Sequence, residues 1–193
     1  MFPELCSVSR IIHTAWALLR FRLMMTDDMF RKMRRKKQEL TEKQCLDILR
    51  RAKTATLALS GDDGYPYSVP MNFVYEDGKI YFHGAKEGHK IDAIKNNPKV
   101  SMSIIDQEDV IEEELTTYFR SVILFGKARI LQEDDEIYHA IETLGLKYNE
   151  DEVTVEKEIR KEWKILCCVE ITIEHISGKQ AIELVNKNYQ DLF

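Results

Sequence analysis

Residues 80–90, IYFHGAKEGHK, place positively charged side chains where a predicted strand turns into a predicted helix. The strand ends at Gly84, and the helix begins with His89 after a turn that contains Gly88. Each exposed cation at a helix N-terminus destabilises the helix by about 0.3–1 kcal/mol, because the helix dipole is positive there. An anion bound among the cations removes that repulsion. Free backbone amides and glycines that permit close approach complete a candidate phosphate-binding site. The candidate ligands are Lys86, His89 and Lys90, for which a solvated turn is the alternative interpretation.

His83 in the same segment is a candidate for proton transfer. Strand alternation places its side chain on the face of Tyr81, opposite Ile80 and Phe82. An imidazole with a usual pKa of about 6.5 can donate a hydrogen bond to a cofactor or substrate oxygen and can deliver a proton near neutral pH. A structural histidine in the sheet is the alternative.

Cysteine and histidine spacing does not indicate a metal site. The four cysteines offer no CxxC pair, and the five histidines offer no HxxxH or HExxH pair. Adjacent Cys167 and Cys168 would point to opposite faces of a predicted strand. We therefore expect free thiols, a cytoplasmic location and no structural zinc.

The composition predicts one soluble globular domain. The 193 residues are 44% hydrophobic and 32% charged, with a formal net charge of −5, so nucleic acid is not expected as a partner. Residues 29–40 form a basic arm that could contact nucleic acid or anionic lipid. A solvated arm is favoured because Phe30 is the only aromatic residue among its charges. The basic residues are Arg31, Lys32, Arg34, Arg35, Lys36 and Lys37.

Residues 1–28 differ in character from the remainder and form a predicted N-terminal extension. Their apolar stretch at 11–19 is shorter than the roughly 20 residues that a membrane span needs. Two arginines follow the stretch, whereas a signal peptide carries its positive charge before it. Three interpretations stay open: an amphipathic helix on the body or on a membrane surface, a weak targeting segment, or a region upstream of a functional start at Met29 or Met33.

The predicted domain spans residues 41–187 and is followed by a tail at 188–193. It opens with a helix, because Thr41 and Gln44 form a capping box. From Thr54 the apolar period changes to two, which is typical of a strand.

A second predicted strand, residues 65–76, contains two prolines. Pro66 and Pro70 each lack the N–H that a sheet ladder needs, so this strand is expected at an edge or to be locally broken. Asp77-Gly78 then predicts a hairpin. Later patterns predict strands at 79–85, 100–104, 118–131 and 165–176, and helices at 87–96, 133–144 and 153–163. Six strands joined largely by hairpins predict an α+β domain built on an antiparallel barrel.

Two segments resemble a known family. They read DGYPYSVPMNFVYEDGKIYFHGAKEGHKIDAIKNNPKVSMSI and, further along, YFRSVILFGKARIL. Together they resemble the pyridoxamine 5′-phosphate oxidase-like flavoproteins, and within them the nitroimidazole-resistance (Nim) proteins, over about residues 33–187. The resemblance implies a six-stranded antiparallel split β-barrel with short peripheral helices, a homodimer, and FMN bound between the subunits.

The resemblance also implies roles for individual residues. The flavin ring would lie along the broken second strand, and the phosphate would lie at the turn after the hairpin. His83 would stand beside the redox group, while Ser121 and Trp163 are weaker candidates for cofactor contact. The implied cofactor-binding residues are Ser68, Val69, Pro70, Met71, Asn72, Tyr81, Phe82, His83, Gly84, Lys86, His89, Lys90, Ser121 and Trp163.

The function implied is that of an FMN-dependent oxidoreductase that reduces a nitroaromatic or similar small electron acceptor. The flavin would carry the chemistry, and the protein would supply binding, orientation and electrostatics. The alternative is a non-catalytic protein that binds or sequesters FMN or haem, and split barrels also include members that use deazaflavin. The chain lacks a glycine-rich dinucleotide fingerprint, so a nicotinamide would bind transiently or another protein would supply electrons. Pyridoxamine phosphate oxidation is not expected, because no carboxy-terminal arginine-rich substrate motif can be placed.

Overall fold

A computed structural model describes residues 29–185. The predicted extension at 1–28 and the predicted tail at 188–193 lie outside the described residues. The helices described are α1 (Glu42–Arg51), α2 (His89–Asn96), α3 (Asp134–Tyr148) and α4 (Glu152–Glu162). The strands described are β1 (Thr54–Ser60), β2 (Pro66–Asn72), β3 (Val74–Glu76), β4 (Lys79–Ala85), β5 (Lys99–Ile111), β6 (Thr116–Ile130) and β7 (Leu166–Gln180). None of these helices is long and apolar enough to cross a membrane.

The strands form one antiparallel sheet in the order β2-β1-β5-β6-β7-β4-β3. The prediction of a split barrel is confirmed, but the prediction of six strands is wrong for the described residues, which contain seven. The predicted second strand divides into β2 and β3, which occupy opposite edges of the sheet although only Phe73 separates them in sequence. The sheet must therefore curve until its two edges come close together.

Side chains inside the curved sheet form the main core. Alternation is clear in β4, where Ile80 and Phe82 are buried in this core and Tyr81 is buried on the other face. The β6–β7 register shifts between Phe125 and Gly126, where the sequence predicts a bend, and Glu174 of β7 is the extra residue. Helix α1 covers one end of the core with a buried stripe, and its capping box at Thr41 is present as predicted.

Helices α3 and α4 build a second apolar cluster on the outer face of β4 and β7. Its buried members include Tyr81, Leu144, Val155 and Cys168. Helix α3 continues to Tyr148, four residues beyond its predicted end at Leu144, and these extra residues reach the break between β2 and β3. The helices are therefore not merely peripheral, because they cover the face of β4 on which His83 lies.

The end of the predicted basic arm is attached to the sheet. Leu40 is buried, and its backbone N–H donates to the Gly178 carbonyl at 2.9 Å. Glu39 forms an isolated bridge with Lys179 of β7. This part of the arm is therefore ordered against β7 rather than solvated throughout.

Candidate functional site

His83 lies near the end of β4, with its side chain exposed toward a cleft beneath α3 and α4. It shares the Tyr81 face of the strand, as predicted, and its backbone pairs with Cys168 of β7. Desolvation by the protein atoms around it, followed by the nearby Lys90 charge, lowers the pKa of His83. The imidazole is therefore neutral at pH 7, with one ring nitrogen able to donate a hydrogen bond and the other able to accept one.

Lys90, in the first turn of α2, folds back against β4. Its Nζ lies 5.3 Å from the centre of the Phe82 ring, and a Cβ built at Gly84 would lie only 3.0 Å from that nitrogen. Burial lowers the pKa of Lys90, and within residues 29–185 its ammonium has no hydrogen-bonding or carboxylate partner. A half-buried cation beside a glycine fits a phosphate group. We call Lys90 together with Gly84 the Lys90 cradle.

The start of α2 supports the same interpretation. Its N-cap is Gly88, with a φ of 119°, and no side chain caps the first turn. The first amides of a helix lack intrahelical partners, and they attract anions. The backbone N–H groups of His89 and Lys90 therefore remain available beside the Lys90 ammonium.

His89 points away from this cradle. Its ring stacks on Tyr67 of β2, with centroids 4.1 Å apart and planes 15° apart. Its Nε2 lies 3.6 Å from an Asp62 carboxylate oxygen. The structure thus separates His89 from Lys90, although the two were predicted as joint phosphate ligands.

Lys86 shares a cavity with Lys95, a residue that the sequence did not indicate. Both line a cavity of about 440 Å³ together with Trp163 and Cys167. Burial raises the pKa of the Cys167 thiol, and the charges of Lys90, Lys86 and Lys95 oppose that rise, which places all three lysines close to it. A positive region therefore extends from the Lys90 cradle to this cavity.

The residues predicted from β2 alternate between two faces. Val69 and Met71 are half-buried against the core, whereas Ser68, Pro70 and Asn72 are exposed on the outer face. Among the strands described, β2 is an edge strand that pairs only with β1, so within residues 29–185 its outer backbone and these exposed side chains are accessible to a ligand.

Ser121 lies far from His83 along the sheet. Ser121 pairs with Lys179 of β7, whereas His83 pairs with Cys168. These two β7 positions are separated by 179 − 168 = 11 residues, or about 36 Å of extended strand at about 3.3 Å per residue. Trp163, at the end of α4, is half-buried with its ring 6.4 Å from that of Tyr138. Within residues 29–185, neither Ser121 nor Trp163 is shown in contact with Lys90 or Gly84.

A cleft larger than the cavity that Lys86 and Lys95 line opens at the end of β4. It has a volume of about 740 Å³ and lies between β4, the end of β2 and the helices α3 and α4. Its predicted members are Asn72, His83 and Gly84, and most of its remaining wall is apolar. Within residues 29–185, no group of three or more acidic, histidine or cysteine side chains is arranged to hold a metal ion.

Two residues at the end of α3 hold the break in the sheet. The Tyr148 hydroxyl oxygen accepts the Phe73 N–H at 3.1 Å, and Lys147 Nζ donates to the Phe73 carbonyl at 2.9 Å. Tyr148 also donates to the Lys53 carbonyl, and Lys147 donates to the Ala52 carbonyl at 2.6 Å. Burial lowers the pKa of Lys147 to about 8. We call this arrangement of Phe73, Lys147 and Tyr148 the seam; it fixes where β2 ends, beside the cleft.

Comparison with known proteins identifies related sequences and folds. Residues 41–180 match the family described as pyridoxamine 5′-phosphate oxidase. An uncharacterised protein of Rhizobium meliloti is 27% identical over 100 residues. The match covers 52% of this chain and 61% of that protein, so this chain spans less than two thirds of its relative's length.

Two solved structures share the fold. A proposed 5-nitroimidazole antibiotic resistance protein from Bacteroides thetaiotaomicron is 21% identical, with a TM-score of 0.61, over 73% of this chain and 85% of that one. The FAD- and haem-binding protein from Mycobacterium smegmatis is 21% identical, with a TM-score of 0.62, over 75% of this chain and 73% of that one. At these identities the similarity extends to the split-barrel fold alone.

Proposed function

The chain belongs to the pyridoxamine 5′-phosphate oxidase family, and we propose that it binds FMN and acts as an oxidoreductase. The acceptor is a nitroaromatic or similar small molecule. The structural relative from Bacteroides thetaiotaomicron, proposed to confer 5-nitroimidazole resistance, is the comparison that suggests this acceptor class. A reduced nicotinamide that binds transiently, or a reduced partner protein, supplies the two electrons.

The Lys90 cradle is the observation that carries this proposal. A lysine held against Gly84, half-buried and without a carboxylate partner among the described residues, is costly unless a ligand supplies the negative charge. The uncapped start of α2 adds two backbone donors at the same place. A flavin phosphate satisfies all three groups at the end of β4, close to His83.

The residues of this chain bind, orient and protonate, while bound FMN supplies the transfer of electrons. Lys90 holds the phosphate, and the exposed edge of β2 lies along the ring. The neutral His83 imidazole donates a hydrogen bond to an oxygen of the acceptor. It takes a proton from solvent at its second ring nitrogen and passes the proton of the first to that oxygen, which returns the ring to its neutral form.

A homodimer forms part of this proposal. Ile105, Ile123 and Phe125 are 59%, 44% and 39% exposed on the outer face of β5 and β6. Such an apolar sheet face is suited to a second copy of the chain. Because Ser121 also lies on β6, far from His83 in the same chain, a contribution of Ser121 to the flavin site would come from the partner subunit. Light scattering of the full chain tests this, and a monomer that persists with FMN bound would refute it.

The cofactor test combines a spectrum with a titration. The purified full chain should show a flavin band near ~450 nm, whereas a Soret band would favour the haem alternative. Lys90→Ala should weaken FMN binding by roughly tenfold to a hundredfold, because it removes a charge-assisted hydrogen bond worth about 1.5–3 kcal/mol. Riboflavin, which lacks the phosphate, should bind both proteins equally. Lys43→Ala, which removes an exposed lysine from α1, is the matched control; a Lys90→Ala affinity within about twofold of this control would refute the phosphate site.

A further inference from the structure

The cleft beneath α3 and α4 differs in chemistry from the positive cradle beside it. We propose that this cleft is the pocket for the electron acceptor, and that it selects a largely apolar, uncharged molecule and rejects anions. The acceptor role rests on the proposed function, whereas the chemical selectivity follows from the lining of the cleft.

The walls of the cleft are built by the two helices and the start of β7. With a volume of about 740 Å³, the cleft is large enough for a molecule of two or three fused rings. Apolar side chains face it from three elements: Ile141 and Leu144 of α3, Val155 and Ile159 of α4, and Leu166 of β7. The body of the ligand would be desolvated against these residues, so it must itself be apolar.

Among the described residues that line this cleft there is no lysine or arginine. Its charged residues are Glu158 and Glu162, both of which pair with Lys161 at the surface, at 2.8 and 3.3 Å. A carboxylate or phosphate in the cleft would lose its hydration without gaining a cation, and it would face two acidic side chains.

The lysines lie outside the lining of the cleft, with Lys90 on the Phe82 and Gly84 face of β4 and His83 on the Tyr81 face. Lys86 and Lys95 line the neighbouring cavity, which shares only Leu166 with the cleft, and Lys90 lies against Gly84. The two compartments therefore divide their ligands by charge, with phosphate on one side and an uncharged body on the other.

Two side chains of the cleft are available for hydrogen bonding to a ligand. Three of the polar lining residues are already engaged: Tyr148 in the seam, and Asn149 and Thr154 with the backbone and side chain of Asp151. The side chains of His83 and Asn72 make no hydrogen bond within residues 29–185. They are the groups that can orient a ligand, so the preferred molecule carries one hydrogen-bonding group, such as a carbonyl or nitro oxygen, at one end.

A matched pair of ligands tests the charge selectivity directly. 2-Acetylnaphthalene and 2-naphthoate share a ring system and differ in an uncharged ketone against a carboxylate. We expect the ketone to bind the full chain at least tenfold more tightly than the carboxylate, measured by calorimetry with and without FMN. Equal affinities, or a preference for the carboxylate, would overturn the inference.

Two variants place the ligand in the cleft. Ala85→Trp fills the mouth of the cleft from an exposed position on β4 and should reduce ketone binding at least tenfold. Glu162→Lys supplies the missing cation and should bring the carboxylate affinity to within about threefold of the ketone affinity. Glu152→Lys makes the same change on α4 outside the cleft lining and should leave the tenfold preference intact. Melting curves verify that each variant is folded, and ketone binding that is unchanged in folded Ala85→Trp would overturn the assignment.

The FMN titration is a separate readout. FMN binding without ketone binding would overturn this inference alone. Failure of FMN to bind would overturn the proposed function, and the acceptor role of the cleft with it, whatever the naphthyl ligands do.

Discussion

Tyr148→Phe should destabilise the protein through a single buried amide in the seam. The substitution keeps the aromatic ring and removes only the hydroxyl oxygen that accepts the Phe73 N–H at 3.1 Å. Phe73 is 0% exposed, so water cannot replace the lost acceptor. The Phe73 carbonyl keeps its bond from Lys147 at 2.9 Å, and Lys53 is exposed, so its carbonyl can be hydrated instead.

The expected cost is that of one unsatisfied buried donor, about 1–3 kcal/mol in the free energy of unfolding. For a domain of this size each kcal/mol lowers Tm by roughly 2–4 °C, so the fall should be about 2–12 °C. Differential scanning calorimetry of the full chain measures it. Because the rings of Phe and Tyr fill nearly the same space, a cavity contributes nothing to the expected change.

Tyr138→Phe is the matched control, since it makes the same change on the same helix. The Tyr138 hydroxyl bonds to Glu156 at 2.7 Å and Glu142 at 3.3 Å, both at the exposed surface. Its loss should change stability by no more than about 0.5 kcal/mol. Equal falls in Tm for the two variants would refute the reasoning, because the Phe73 amide would then not depend on Tyr148.

Three further predictions follow from the seam and the site. Burial lowers the pKa of Lys147 to about 8 from a usual value of about 10.5, so between these pH values the unfolded chain binds more protons than the folded one. Stability should therefore rise with pH in that window, and urea titrations should find this rise absent in Lys147→Met. Gly84→Ala places a Cβ 3.0 Å from Lys90 Nζ and should weaken FMN binding several-fold in fluorescence titrations while leaving riboflavin unaffected; equal effects on both ligands would contradict the cradle. Because the pKa of His83 is lowered, little of the imidazolium form that delivers the proton is present at neutral pH, so activity should rise as the pH falls below the usual histidine value, and a pH–rate profile should lose this rise in His83→Gln.

Local chemistry in the sequence predicted several elements, and closure of the barrel determined the rest. The capping box at Thr41 depends on residues three apart, so it could be read directly. The prolines correctly indicated an edge strand, but the break lies at Phe73, because Pro70 still pairs with Thr56 of β1. The position of the break depends on Tyr148, 75 residues away, which no local pattern reveals.

The sequence predicted which segment of the chain forms the site, but not the direction in which each side chain points. His89 and Lys90 are consecutive in a helix, so their side chains diverge by about 100°. Only Lys90 faces Gly84, and His89 stacks on Tyr67. The sequence did not indicate Lys95, because it lines the same cavity as Lys86 only through the packing of α2 on β1 and β6. The cleft itself depends on α3 and α4 covering β4, a tertiary arrangement that the sequence pattern of either helix does not contain.

The two open edges of the sheet bear on aggregation. An exposed edge strand is a template on which another chain can add a strand, and growth of this kind leads to polymers and fibrils. At one edge, Pro66 and Pro70 interrupt the row of donors in β2, and at the other, β3 is only three residues long. Within residues 29–185 neither edge offers an uninterrupted ladder, so the break at Phe73 that opens the barrel does not make this part of the chain prone to edge-to-edge polymerisation.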